Sequence, residues 1–316
     1  MLSSCSSTPP ILQVVIVQFG DSRKPMVSGF VERMAELGYH DNKNIQYTYL
    51  NAGRSRKQLK HLLDTMDTAA VDLIAVAGGV EADAVKKRLS GESGPPVVVL
   101  CLSNLMKRGL IDSRQNPGWS VTGVDSLNVE LVGKRLEMIK ELLPDAKKIL
   151  VLYTPKNNSP SYQGMLAVKK LVPQFGLELS AHEVSSEKEI DAFFKSGEAD
   201  DSDVLLLMPA AQLVNAFYSI ILPETEKRKI PVFSPFRVFT EAGFLASYGP
   251  DYPRIGMQAA DLAHKILQGT RPESIPFEAT TFYEYVINVD EAEYLNIALP
   301  AQMRSKVNAF VHTSEK

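Results

Sequence analysis

The chain is 316 residues long, which at about 100–200 residues per domain allows two lobes of ordinary size and is too long for a peptide-sized module. Its 34 Lys and Arg against 37 Asp and Glu leave no cationic field of the kind that drives binding to a phosphate backbone, so nucleic acid is not expected as a partner. With 45% hydrophobic and 22% charged residues it has an ordinary globular composition, and its longest apolar runs, Val97 to Leu102 and Val204 to Met208, are far too short to span a bilayer.

The chain opens with Met1 to Pro10, a stretch rich in Ser, Thr and Pro without hydrophobic periodicity, which reads as a disordered tether. Within it, Leu2-Ser3-Ser4-Cys5 resembles the close of a bacterial lipoprotein signal and makes Cys5 a candidate lipidation site. The charged and apolar regions of such a signal do not stand ahead of it, and the other reading is an ordinary exposed thiol. Cys5 and Cys101 could form one bridge at most, so no disulfide framework is expected, and no Cys/His metal cluster can be drawn.

From Ile11 short apolar runs alternate with amphipathic helices. Strands are predicted at Leu12 to Val17, Ile45 to Tyr49, Leu73 to Ala77 and Val97 to Cys101, and helices at Met26 to Leu37 (stopped by Gly38), Ser55 to Thr68 and Glu81 to Leu89. A second, similar series follows: helix Glu130 to Leu142, strand Ile149 to Tyr153, helix Ser161 to Phe175, strand Leu177 to His182, helix Glu187 to Lys195, strand Val204 to Met208, helix Ala211 to Arg228 and strand Pro231 to Phe233. After these come Phe244 to Ser247, a helix at Ile255 to Leu267, a strand at Tyr285 to Asn288 and a helix at Asp290 to Leu295. The repeated βαβ order predicts an α/β protein of two similarly built lobes, each a parallel sheet with helices on both faces.

Ligands of open parallel sheets bind outside the carboxyl ends of the strands. The loops to watch are therefore Gln18 to Pro25, Ala77 to Val80, Leu102 to Leu105, Thr154 to Gln163, Pro209 to Gln212, Ser234 to Arg237 and Tyr248 to Tyr252.

Several segments, in order, carry a family pattern. They are Gly29-Phe30, Leu37-Gly38-Tyr39 and Asn42 to Ile45; Val71 to Val76; Asn116-Pro117-Gly118 with Val121 to Val124; and Lys134-Arg135-Leu136 with Leu142-Leu143-Pro144. Lys229 to Val232, Ala246 to Gly249, Gly256 to Ala260, Lys265 to Gly269, Ile275 to Phe277 and Val286 to Asn288 continue it. Together they resemble the substrate-binding proteins of ABC importers with the type I periplasmic-binding fold, in the branch related to tryptophan- and aromatic-amino-acid-binding lipoproteins.

The resemblance implies two Rossmann-like lobes joined by a three-crossing hinge, with residues 11–124 plus 250–282 in one lobe and 126–248 plus 285–312 in the other. It places the crossings near Gly123 to Ser126, Tyr248 to Pro250 and Phe282 to Tyr285. The implied function is non-enzymatic: hinge closure on a small polar or aromatic solute, an amino acid or related carboxylate, and delivery to a membrane permease. No cofactor and no metal is implied, and a monomer in the periplasm or at the cell surface is expected. A sensory receptor of the same fold is the alternative, and an α/β enzyme stays open.

Candidate ligand groups follow the strands. Gln18, Phe19, Asp21 and Ser22 come after the first, with the alternative of a solvated loop and Phe19 packed on its lobe. Gly78-Gly79 would let backbone amides approach a solute at a helix N-terminus, or would be a plain strand-to-helix turn. Ser103 and Asn104 offer a hydroxyl and an amide. By the resemblance, Asn158-Ser159, with Gln163, matches the Asn-Ser pair that holds the ligand carboxylate in aromatic-amino-acid binders; the alternative is that Ser159 or Ser161 caps the following helix. Phe236 and Arg237 could stack on a planar solute and grip a carboxylate, whereas packing is favoured for Tyr248, Tyr252, Trp119 and Cys101.

One departure stands out. Where those binders carry Asp-Asn, this chain has Ala211-Gln212, which removes the usual partner of a ligand ammonium, although Gln212 remains a candidate contact. Asp21, Glu81 or Glu241 could supply the charge instead. There is no Walker A, spaced dinucleotide fingerprint or G-x-S-x-G elbow, and the five histidines share no short motif with a nucleophile or metal partner.

Overall fold

The computed structural model describes residues 10–90, 94–154, 159–209 and 211–313, the last range without the side chains of 211–216. Cys5 and Asn158 lie outside the described residues. In chain order the elements are β1 (Leu12–Gln18), α1 (Lys24–Glu36), β2 (Ile45–Asn51), α2 (Arg56–Asp64), β3 (Leu73–Val76), α3 (Gly79–Arg88), β4 (Val97–Leu102) and β5 (Val121–Asp125). Then come α4 (Val132–Leu142), β6 (Lys148–Tyr153), α5 (Pro160–Leu171), β7 (Glu178–Glu183), α6 (Glu187–Ser196), β8 (Val204–Leu207), α7 (Ala211–Arg228), β9 (Val232–Ser234) and α8 (Arg237–Glu241). The chain finishes with β10 (Ala246–Pro250), α9 (Tyr252–Leu267), β11 (Glu278–Ala279), β12 (Tyr283–Asn288), α10 (Val289–Tyr294), α11 (Ala301–Arg304) and β13 (Ala309–Val311).

These elements form two compact units. The first holds Met1–Ser126 and Tyr252–Thr280, the second Leu127–Asp251 and Thr281–Lys316. Unit 1 is built on a sheet of order β11-β5-β4-β3-β1-β2, parallel throughout. Unit 2 has the order β13-β12-β10-β9-β8-β6-β7, parallel except where β12 runs against β10.

The strands read as apolar runs because both faces of each sheet are covered. In unit 1, Val14, Ile16, Leu73 and Ala75 enter a core with α1 and α9, while their neighbours Val15, Val17, Ile74 and Val76 enter another with α2 and α3. Unit 2 repeats the scheme: Ile149, Val151, Val204 and Leu206 pack with α4 and α5, and Leu150, Leu152, Leu205 and Leu207 with α6 and α7.

Three local expectations are corrected. The predicted helix over Ser161 to Phe175 ends as α-helix at Leu171 and tightens into a 3-10 turn at Val172–Phe175, because Pro173 has no N–H for the next helical bond. Val121–Asp125 is a fully buried strand, although Thr122 and Gly123 interrupt its apolar run. Short β11 and β13 and short helices α8 and α11 fall in stretches where no element was predicted.

Candidate functional site

In unit 1 the carboxyl ends of β1, β3 and β4 bring three predicted loops together on neighbouring strands. Gln18 ends β1 and is 6% exposed; its amide oxygen is buried without a partner among the described residues. Phe19 packs half-buried against the core under α2 and α3, and its N–H donates to Glu81 Oε1 at 2.7 Å. Asp21 is exposed, accepting from Asn51 Nδ2 at 2.9 Å with Lys24 Nζ 3.4 Å away; Ser22 is exposed beside it.

The glycine pair opens α3 and makes room for neighbouring side chains. Gly78 is the N-cap of α3 and Gly79 its first residue. A Cβ on Gly78 would sit 2.8 Å from Arg23 Nη2, and one on Gly79 would sit 2.9 Å from the Arg108 guanidinium carbon. The space a side chain would fill is taken by the Arg23 guanidinium at Gly78 and by Leu102 with the Arg108 guanidinium at Gly79. Arg23 Nε lies 3.4 Å from Glu81 Oε1, Arg108 pairs with Asp83, and the Arg23 and Arg108 side chains are 21% and 17% exposed. Sequence reading missed both arginines; the absence of Cβ atoms at 78 and 79 was the one signal of them.

After β4, Ser103 is buried and Asn104 adopts a left-handed φ of 64°, tolerable for Asn, with its carbonyl accepting from Arg108 N at 3.1 Å. Cys101 is buried in the unit 1 core. Burial pushes its thiol up to about 12, opposed by nearby Arg23 and a hydrogen bond with Ser126, so it is an inert core group. Trp119 packs on the same unit, its indole N–H donating to Leu110 O at 2.9 Å.

In unit 2 the corresponding loops follow β6, β8, β9 and β10. Ser159 is the N-cap of α5, its Oγ accepting from Tyr162 N at 3.1 Å, and fully buried Ser161 accepts from Thr154 N at 3.1 Å. Ser159 is therefore the cap, whereas Ser161 sits inside α5 and ties down the loop after β6; the Ser159 O–H and one lone pair remain for a solute. Gln163 lies in the first turn of α5 and Gln212 in the first turn of α7.

Phe236 precedes α8 and stacks edge-on to Phe239 with centroids 6.2 Å apart. Arg237 donates through Nε to Glu241 Oε1 at 2.7 Å and through Nη1 to Glu284 Oε2 at 3.0 Å. Its fork is held by two protein carboxylates rather than left open for a solute. Burial pushes the Glu284 carboxyl above the usual glutamate range, with Arg237 pulling it back. Tyr248 packs against Tyr283 and Tyr285, and Tyr252 against the unit 1 core.

A family model described as ABC transporter substrate binding protein matches residues 12–311. A curated relative, the tyrosine-binding protein of Clostridioides difficile (strain R20291), is 25% identical over 272 residues, 85% of this chain and 76% of its own length. Among solved structures, a conserved domain protein from Vibrio cholerae superposes with a TM-score of 0.83 at 24% identity, over 95% of this chain and 100% of that one. An ABC domain from Streptococcus pneumonia in complex with L-Trp also gives 0.83, at 20% identity, over 96% of this chain and 100% of that one.

Proposed function

From the premise that the chain belongs to the ABC transporter substrate-binding protein family, we propose that it is the extracytoplasmic receptor of an importer, taking one small aromatic or polar amino acid, or a related carboxylate, with groups from both units. As a substrate-binding protein it is not an enzyme. Hinge closure on the solute and presentation to a membrane permease complete the proposal, with Cys5 as the lipid anchor. Among the described residues no helix is long and apolar enough to cross a membrane.

The observation that carries the reading is what stands at the strand ends. Gln18, Ser103 and Asn104 in unit 1, and Ser159 and Phe236 in unit 2, supply amide, hydroxyl and aromatic groups where open parallel sheets bind ligands. The tyrosine-binding relative and the tryptophan complex support an aromatic amino acid as the first solute to try.

Thermal unfolding of the purified protein with tyrosine, tryptophan, phenylalanine and their amine-free acids tests this. A true solute at a hundred times its Kd adds about 2.7 kcal/mol of apparent stability. Absence of any shift across this set and the polar amino acids, or turnover of the compound that binds, overturns the proposal.

A further inference from the structure

We infer that Glu81 receives the cationic end of the solute, so that the ammonium is read from unit 1. The inference rests on the functional reading above and specifies it: the solute carries an amine.

Three carboxylates stand as possible substitutes for the acidic residue that Ala211-Gln212 lacks. Asp21 is exposed and engaged by Asn51 and Lys24. Glu241 is 45% exposed and holds Arg237. Glu81 differs from both in being completely buried. Its Oε1 accepts from Phe19 N at 2.7 Å and faces Arg23 Nε at 3.4 Å, while its Oε2 is buried with no hydrogen-bond partner among the described residues.

A second orphan ends the neighbouring strand β1. Gln18, 6% exposed, has its amide oxygen buried with no donor, and it precedes Phe19, the residue whose N–H is bound to Glu81. Both orphans are acceptors, and β1 and β3, which lead to them, are paired neighbours. Buried acceptors without donors are costly and rare in folded proteins. An alkylammonium answers both at once, since it brings three donors, a positive charge and no acceptor. A hydroxyl would supply one donor and leave one of the two acceptors unmet. A metal ion has no support, because no group of three or more His, Cys, Asp or Glu able to hold one occurs among the described residues.

A purely structural role for Glu81, anchoring the loop after β1 at the N-terminus of α3, accounts for Oε1 and leaves Oε2 unexplained. Arg23 fits as a companion. It shares Oε1 with the Phe19 amide, and the missing Cβ of Gly78 gives it room.

The test is calorimetric titration of wild-type protein, Glu81→Gln and Gln18→Leu with tyrosine and with 3-(4-hydroxyphenyl)propionate, which lacks only the amine. Wild type should prefer tyrosine at least tenfold. Glu81→Gln should weaken tyrosine about 10- to 100-fold and the propionate less than threefold, since the loss is confined to a charge-assisted bond. Gln18→Leu should erode the same preference more mildly, and it reads the effect if Glu81→Gln fails to fold. Equal weakening of both compounds, an unchanged preference in folded Glu81→Gln, or a wild type indifferent to the amine overturns the assignment while leaving the receptor reading intact. Binding of neither compound, nor of tryptophan, phenylalanine, their amine-free acids or the polar amino acids, overturns both.

Discussion

Arg237 shows how far a residue's role departs from its type. In the sequence it is an exposed-looking guanidinium at a strand end, suited to a solute carboxylate; in the fold it bridges Glu241 and Glu284. Glu284, with its side chain 14% exposed, is the dependent partner. Burial raises its carboxyl above the ordinary value and Arg237 opposes that rise. A carboxyl raised in the folded state binds its proton more tightly than in the unfolded chain, so stability declines as pH rises past the unfolded value of about 4.3. Arg237→Met removes the opposing cation and widens the gap. We predict a loss of about 2 kcal/mol at pH 7 that shrinks as pH falls toward 4, measured by urea unfolding across that range. A loss independent of pH would mean that Arg237 acts through packing alone. Cys101 was legible as a core group from its apolar run, and Trp119 as packed on its unit from the Pro-Gly turn before it. The Arg23 and Arg108 placements were not, since each is brought to α3 from a loop distant in sequence.

At the scale of elements, the apolar strands announce themselves while the reasons for some helix positions stay hidden until the helices are packed. Gly29 in α1 and Gly256 in α9 both belong to the family pattern. A Cβ on Gly29 would lie 2.1 Å from Pro253 O, and one on Gly256 would lie 2.0 Å from Met26 O. The two helices touch backbone to backbone, and each glycine is required by the carbonyl of the other helix. Gly256→Ala should therefore cost at least about 1–3 kcal/mol, the usual penalty of overpacking, because backbone cannot step aside as a side chain can. Gly133 in α4 is the contrast: its Cβ would meet only Leu171 Cδ1, at an ordinary 3.5 Å. Gly133→Ala should be neutral or stabilise by up to about 0.5 kcal/mol through helix propensity. Denaturant midpoints for the two variants decide the matter, and similar costs for both would refute the close-approach argument. Lengthwise, β1 to β4 and β6 to β9 were readable from apolar periodicity; β5, β11 and β13 were not, because their interrupted or very short runs are specified by pairing with neighbours.

At the scale of the molecule, the repeated order of strands and helices made the α/β class readable, but local pattern cannot state which distant segments join one sheet. That is decided by long-range pairing, such as β11 with β5 and β10 with β12. The chain passes between the units after Ser126, Asp251 and Thr280. On the unit 1 side, Thr280 N donates to Asp125 O at 2.9 Å and Arg114 Nε to Asp125 Oδ2 at 3.0 Å, so the first and third passages leave from one bonded group. On the unit 2 side, Asp251 N donates to Phe282 O at 3.0 Å. Fully buried Arg135 binds Tyr248 O at 2.8 Å and Asn128 O at 2.9 Å, and Leu127 carries a left-handed φ of 51°. Hydrogen bonds within unit 1 thus join the first and third passages, and hydrogen bonds within unit 2 hold residues beside the second. If the solute is taken by hinge closure, it must bind the closed arrangement better than the open one, since equal affinity shifts no equilibrium. Small-angle scattering should then show a smaller radius of gyration at saturating solute than in its absence, with each unit's secondary structure unchanged by circular dichroism. An identical radius in both conditions, at a concentration where thermal unfolding proves saturation, would reject closure and leave binding to preformed groups.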